Sequence, residues 1–264
     1  MSADRRVIVQ ADKPALASFV AARFIQTLTD AIAEFGAATV VLTGGTMGSA
    51  VLAATRDSPA RDQVDWSRVH FWWGDERWLP AGDPERNETQ AREALLDHLG
   101  LDGSTVHPMG ASDAGSTLED AAAAYAAELA AHALEGAAYP PFDVTFLGVG
   151  PDGHIASLFP GLAGIRERSE TVIAVTNSPK PPPERISLTL PVINSSHRVW
   201  MVMAGSDKAS ALGLALAGVS MDEVPAAGVE ARDESIFLVD QDAAVEVPES
   251  LMRTELFWTA DDES

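Results

Sequence analysis

Residues 143–161 read DVTFLGVGPDGHIASLFPG, and the fold turns on how this stretch is divided. Residues 144–149 form a short run rich in β-branched, aromatic and aliphatic side chains, the composition of a buried strand. Gly148, Gly150 and Gly153 follow at close spacing around Pro151 and Asp152. Such residues supply the backbone turns of a sharp strand-to-helix junction. His154 sits at that junction, and a helix is expected to begin in the IASLF that follows. Open α/β sheets bind ligands beyond the C-terminal ends of their strands. Imidazole titrates near neutrality, so a histidine there can move a proton. A histidine that merely turns the backbone remains the plainer reading of this stretch alone.

Working outward, strand signals alternate with helical ones. Residues 7–10 read as an edge strand. Residues 13–34 carry Leu16, Phe19, Val20, Phe24, Leu28 and Ile32 near helical spacing, with Pro14 in the first turn and Gly36 as the stop. Strands are expected at 39–43, 68–73, 171–176, 198–204 and 236–240, and a strand or short helix start at 186–190. Asn87 or Thr89 is expected to cap a helix running to about Leu99. Ser116 or Thr117 is expected to open an Ala-rich helix running to about Leu134, ended by Gly136. The tail DDES is expected to fray. This alternation predicts one doubly wound, mostly parallel α/β sheet of Rossmann-like form, with a single domain over 1–264. A small helical lobe around 86–135 is compatible with it.

Composition narrows the function. The chain has 264 residues, 46% of them hydrophobic, enough for a sizeable core. It has no cysteine, which excludes thiol nucleophiles, thiolate metal sites and disulfides. The N-terminus MSADRRVIVQ lacks a signal-peptide pattern, and no apolar run is expected to reach membrane-span length, so a soluble cytoplasmic protein is expected. The formal net charge is −21, which argues against nucleic acid as a partner. The same charge repels a phosphorylated metabolite at long range, so any such ligand needs cations gathered locally. Only three lysines occur, Lys13, Lys180 and Lys208.

Several expected strand ends carry polar groups. Thr43, Gly44, Gly45 and Thr46 join a strand to a helix whose free N–H groups suit a phosphate, although the Walker ending and a strict G-x-G-x-x-G are missing. Asp75, Glu76 and Arg77 follow the strand HFWW as a charged turn. The segment SPKPPPER presents Lys180 and Arg185 on a proline-stiffened loop. Ser206 or Asp207 is a natural N-cap. Lys208 then falls in the first helical turn, an adverse place for a cation unless it answers to an anion. The six histidines are scattered along the sequence without an H-x-x-x-H or H-E-x-x-H pattern, so no metal site is expected. His98 reads as a residue of the helix ending near Leu99, without a role, and His132 as exposed.

Together LTGGT, HFWWGDERWLP, FDVTFLGVGPDGHIASLFPG, SPKPPPERISLTLPVIN and VMAGSDKASAL resemble the signature stretches of 6-phosphogluconolactonases, in the family's order over about residues 40–212. The first loop reads GGTMG here, where the family often has GGSTP. The resemblance implies hydrolysis of 6-phospho-D-glucono-1,5-lactone to 6-phosphogluconate in the oxidative pentose phosphate pathway. It also implies the fold shared with the glucosamine-6-phosphate deaminases and sugar-phosphate isomerases, and no metal or organic cofactor. A monomer or a homodimer is compatible with the sequence.

The residue types suit that chemistry. Neutral His154 can take a proton from water and return it to the departing ring oxygen. Asp152 or Asp75 can orient the imidazole, and Arg77 can stabilise the oxyanion. The TGGT loop, Gly153, Arg185 and Lys208, with Lys180, can hold the sugar phosphate. Ser157 as a covalent nucleophile is the minor alternative, since no G-x-S-x-G elbow is present. Two rivals remain: an amino-sugar-phosphate deaminase or isomerase in which Asp75 acts on a C2 proton, and a non-catalytic sugar-phosphate-binding regulator.

Overall fold

The runs ATVVL, VTFLG and RVWMVM are apolar almost throughout, which suits strands covered on both faces. In the computed structural model, which describes residues 6–248 and 252–253, these runs lie in the middle of a parallel sheet. The strands are β1 (Arg6–Gln10), β2 (Ala38–Leu42), β3 (Val69–Trp73), β4 (Asp75–Arg77), β5 (Val144–Gly148), β6 (Val172–Val175), β7 (Arg185–Leu188), β8 (Arg198–Met203), β9 (Glu234–Asp240) and β10 (Met252–Arg253). The helices are α1 (Lys13–Phe35), α2 (Gly45–Asp57), α3 (Asn87–Ala94), α4 (Leu118–Ala131), α5 (Leu190–Asn194) and α6 (Ala209–Leu216).

The main sheet has seven strands in the order β10-β1-β9-β8-β5-β2-β3, and every pairing in it is parallel. From β2 the chain steps to β3 on one side; after β3 it returns to β5 on the other side of β2. That reversal opens a crevice between the loops following β2 and β5, where open α/β sheets bind ligands. The two loops are TGGT and GPDGH.

Several expectations change. The segment 7–10 is not an edge: β1 lies between β9 and β10. Residues 171–176 and 186–190 were expected in the main sheet, but β6 and β7 form a separate antiparallel sheet with β4. The GDER segment is thus a strand, because its backbone finds partners about a hundred residues later in the chain. Residues 151–162 form turns and two isolated bridges rather than a helix. Ala156 there holds a φ of +46°, a left-handed conformation costly for a residue with a β-carbon.

Helix ends differ too. α3 stops at Ala94, and a short 3-10 turn over Leu96–His98 follows. Neither Asn87 nor Thr89 caps it; the Glu76 carboxylate accepts from the amides of Asn87 and Glu88 instead. α4 ends at Ala131, and Thr117 with Asp120 forms its capping box. Lys208 precedes α6 as its N-cap, at the end of a 3-10 turn over Ser206–Lys208, with no side-chain cap.

α1 has 23 residues and is long and apolar enough to cross a membrane by length and composition, contrary to expectation. Its apolar stripe, including Leu16, Val20, Phe24 and Leu28, is fully buried in the protein core. The tail DDES lies outside the described residues.

Candidate active site

The crevice at the sheet's reversal is a cleft of about 460 Å³. Thr43, Gly44, Gly45 and Thr46 line it from the β2 loop, and Gly148, Val149, Gly150, Pro151 and His154 from the β5 loop. Asp75 and Arg77 enter from β4, Lys180 from the proline loop, Arg185 from the start of β7, and Lys208 from the 3-10 turn between β8 and α6. All three lysines of this acidic chain line that one cleft, Lys13 included.

His154 is held by its neighbours. Its Nδ1 lies 2.6 Å from Oδ1 of Asp152, and its ring packs on Phe159 at 4.7 Å between centroids. Lys180 Nζ also lies 3.1 Å from Nδ1, but the shorter contact is to a carboxylate, which only accepts, so Nδ1 carries the proton, Nε2 keeps the basic lone pair, and Lys180 donates to Asp152 and not to the ring. Lys180 Nζ donates to the same Asp152 oxygen at 3.1 Å. Burial favours the neutral acid at Asp152. Hydrogen bonds and charge from His154 and Lys180 outweigh it and hold the carboxyl well below the usual carboxylate range. A β-carbon on Gly150 would overlap the His154 ring, which is why this loop can bring imidazole so close to its own backbone.

Asp75 is placed differently. It is buried, and its carboxylate accepts from Ser157 Oγ at 2.6 Å and Asn87 Nδ2 at 3.1 Å, with Arg185 Nη1 at 3.9 Å. Of the two carboxylates weighed for orienting His154, Asp152 makes the contact. Ser157 is buried, donates to Asp75 and does not line the cleft, so its position argues against a nucleophilic role.

The cations divide by environment. Arg185 is buried and donates to the carbonyls of Lys180, Pro181 and Pro182, so it braces the loop that carries Lys180. Burial lowers its pKa, opposed by Asp75, yet guanidinium stays charged. Arg77 donates to the Glu85 carbonyl at 2.6 Å. Lys208 Nζ sits 3.0 Å from Asp207, which also lines the cleft. Gly153 was expected to touch substrate, but it does not line the cleft. Its φ is +77°, its N–H donates to Gly150 and its carbonyl accepts from Ala226, so it serves the turn.

The β2 loop also depends on glycine. α2 begins at Gly45, whose N–H donates to Gln90 Oε1 at 3.0 Å; Gly44 is the N-cap without a side-chain acceptor, so the anion position falls to the amides of the first turn beyond Gly45. A β-carbon on Gly44 would collide with the Asn87 carboxamide. Asn87 is buried, lines the cleft and has an Oδ1 with no hydrogen-bond partner among the described residues.

Sequence reasoning missed Lys13 and Asn87. Lys13 sits in the first turn of a helix that carries no motif, so only its rarity could have marked it. Asn87 read as a cap. The histidines are also less scattered than the sequence suggests, since His70, His107 and His132 gather around Trp72.

The chain matches, over residues 11–238, the family described as glucosamine-6-phosphate isomerases/6-phosphogluconolactonase. It is 54% identical over 255 residues to a 6-phosphogluconolactonase of Streptomyces coelicolor, covering 95% of this chain and 98% of the relative. A 6-phosphogluconolactonase of Mycobacterium leprae is 46% identical over 245 residues, with 92% and 98% covered. The crystal structure of a 6-phosphogluconolactonase from Thermotoga maritima superposes with a TM-score of 0.78 at 25% identity, covering 90% of this chain and 100% of that one. A family match over most of the chain and identities of this extent mean that the chain belongs to the glucosamine-6-phosphate isomerase/6-phosphogluconolactonase family.

Proposed function

We propose that the chain is an enzyme that hydrolyses 6-phospho-D-glucono-1,5-lactone to 6-phosphogluconate, as the names of its close relatives suggest, within the oxidative pentose phosphate pathway. The observation that carries this reading is the gathering of every lysine of an acidic chain around a carboxylate-oriented histidine. His154 Nε2 takes a proton as water attacks the lactone carbonyl carbon. Arg77 faces the oxyanion of the tetrahedral intermediate. That intermediate collapses with cleavage of the bond to the ring oxygen, and imidazolium returns its proton to the departing oxygen. The first-turn amides of α2 beyond Gly45, with Lys13 and Lys208, hold the phosphate, while Lys180 stays on Asp152 beside the histidine.

Lactone hydrolysis measured above the spontaneous rate tests the proposal, with wild type beside His154→Ala. Wild type should exceed the background by orders of magnitude and the variant should lose about 10²- to 10⁴-fold. Ammonia release from glucosamine 6-phosphate at a metabolic rate, with no lactonase activity, would replace this reading with the deaminase one.

A further inference from the structure

A second constellation lies outside the cleft. His107 follows the segment that pairs with β3: Phe71 N–H donates to the Thr105 carbonyl, and His107 N–H to the Phe71 carbonyl. This fixes the His107 backbone beside the sheet edge. Its buried imidazole stacks on Trp72 at 4.0 Å between centroids and 10° between planes. Glu128 and His132 sit four residues apart at the end of α4, hence on one helix face. Glu128 Oε1 lies 3.0 Å from His107 Nδ1 and 3.7 Å from His132 Nδ1. Ligand-capable atoms of all three residues fall within 4.8 Å of one another.

We infer that His107, Glu128 and His132 form a binding site for a divalent transition ion of the Zn²⁺ class, separate from the lactone cleft. Ligands about 2.0–2.1 Å from a tetrahedral zinc lie roughly 3.3 Å apart, close to the 3.0 Å and 3.7 Å from Glu128 Oε1 to the two imidazoles. Two imidazoles and one carboxylate suit zinc and leave a fourth position for water. His107 is bound most firmly, because Trp72 sets its ring plane before any ion arrives. Its Nε2 lies 3.1 Å from His70 Nδ1. When Nδ1 ligates the ion, Nε2–H donates to His70, the outer-shell hydrogen bond that metal-bound histidines use to fix their tautomer. His132 Nδ1 lies 3.0 Å from the Glu128 carbonyl oxygen, and the ring turns from that partner to complete the set. The ion then ties the end of α4 to the edge of β3. Its effect is on the stability of that corner, not on the chemistry in the cleft.

The test is calorimetric titration of the tag-free full chain with ZnCl₂, alongside His132→Ala and Glu128→Gln. Both changed residues are exposed, so the fold survives the changes. His154→Ala serves as a control for zinc entering the cleft. Wild type and His154→Ala should share one zinc equivalent that is absent from His132→Ala and at least tenfold weaker in Glu128→Gln. Co²⁺ in its place should give the visible absorption of a tetrahedral ion, lost in His132→Ala. His70→Ala should weaken binding by roughly tenfold or more. Zinc should raise the melting temperature of wild type but not that of His132→Ala. Lactonase activity of metal-free His132→Ala should equal that of the wild type. Identical isotherms for wild type and His132→Ala, or no zinc uptake outside the cleft, would overturn the assignment.

Discussion

His154 and Asp152 are joined by a 2.6 Å contact between Nδ1 and Oδ1, two residues apart on one glycine-built turn. The short sequence separation means the loop itself fixes the imidazole tautomer. Asp152→Asn keeps the shape but removes the charge that holds the proton on Nδ1 and stabilises the imidazolium formed in the reaction. Turnover should fall by about 10²-fold or more, approaching the loss in His154→Ala, with little change in KM. A variant with near wild-type turnover would show that the aspartate is not needed to hold the tautomer.

Lys13 joins the cleft from the first turn of α1, far in sequence from the other cations. Lys13→Ala should lower kcat/KM roughly tenfold or more, the scale of a lost charged hydrogen bond, mainly through KM. Added salt should weaken wild-type binding of the phosphorylated substrate more than that of the variant. Equal salt dependence in the two proteins would remove Lys13 from the phosphate site.

Gly44 faces the carboxamide of Asn87, which packs where a β-carbon would sit. Gly44→Ala should cost roughly 1–3 kcal/mol of stability from overpacking and displace Asn87 from Asp75. Adding Asn87→Ala should recover part of that stability, and thermal melts of the two single variants and the double variant decide it. Strict additivity would mean the two residues do not press on each other.

Glu76 is buried beneath the start of α3, accepting from the amides of Arg77, Asn87 and Glu88 with Arg86 beside it. Burial is the largest influence and raises its pKa to about 7, with Arg86 and the amides opposing. The folded chain therefore keeps a proton that the unfolded chain releases near 4.5. Stability from this group is complete below that unfolded value and is lost as pH rises through about 7. Urea unfolding of wild type and Glu76→Gln, compared between about pH 5 and about pH 8.5, should shift in the variant's favour by roughly 3 kcal/mol. Parallel pH curves would contradict the shift.

The TGGT loop and the histidine turn were legible because each is a local pattern: an apolar run, glycines, then polar side chains. The same reasoning failed where structure depends on distant pairing. GDER read as a turn because its partner strand lies near residue 186, and residues 7–10 read as an edge because β10 comes at the far end of the chain. Asp75 and Asp152 could not be ranked from sequence, since only packing sends Asp75 to Ser157 and Asn87. Nor does the sequence show that Arg185 spends its guanidinium on backbone carbonyls of the neighbouring loop. Its carbonyl partners lie only a few residues away, but the loop's path decides whether they meet.

With every lysine at one place, the chain has no other ε-amine to react. Acylating reagents, aldehydes that form imines and amine-coupled supports will all meet the cleft before any other lysine surface. Substrate should shield those amines from labelling. Attachment through the abundant carboxylates instead should leave the enzyme free to turn over.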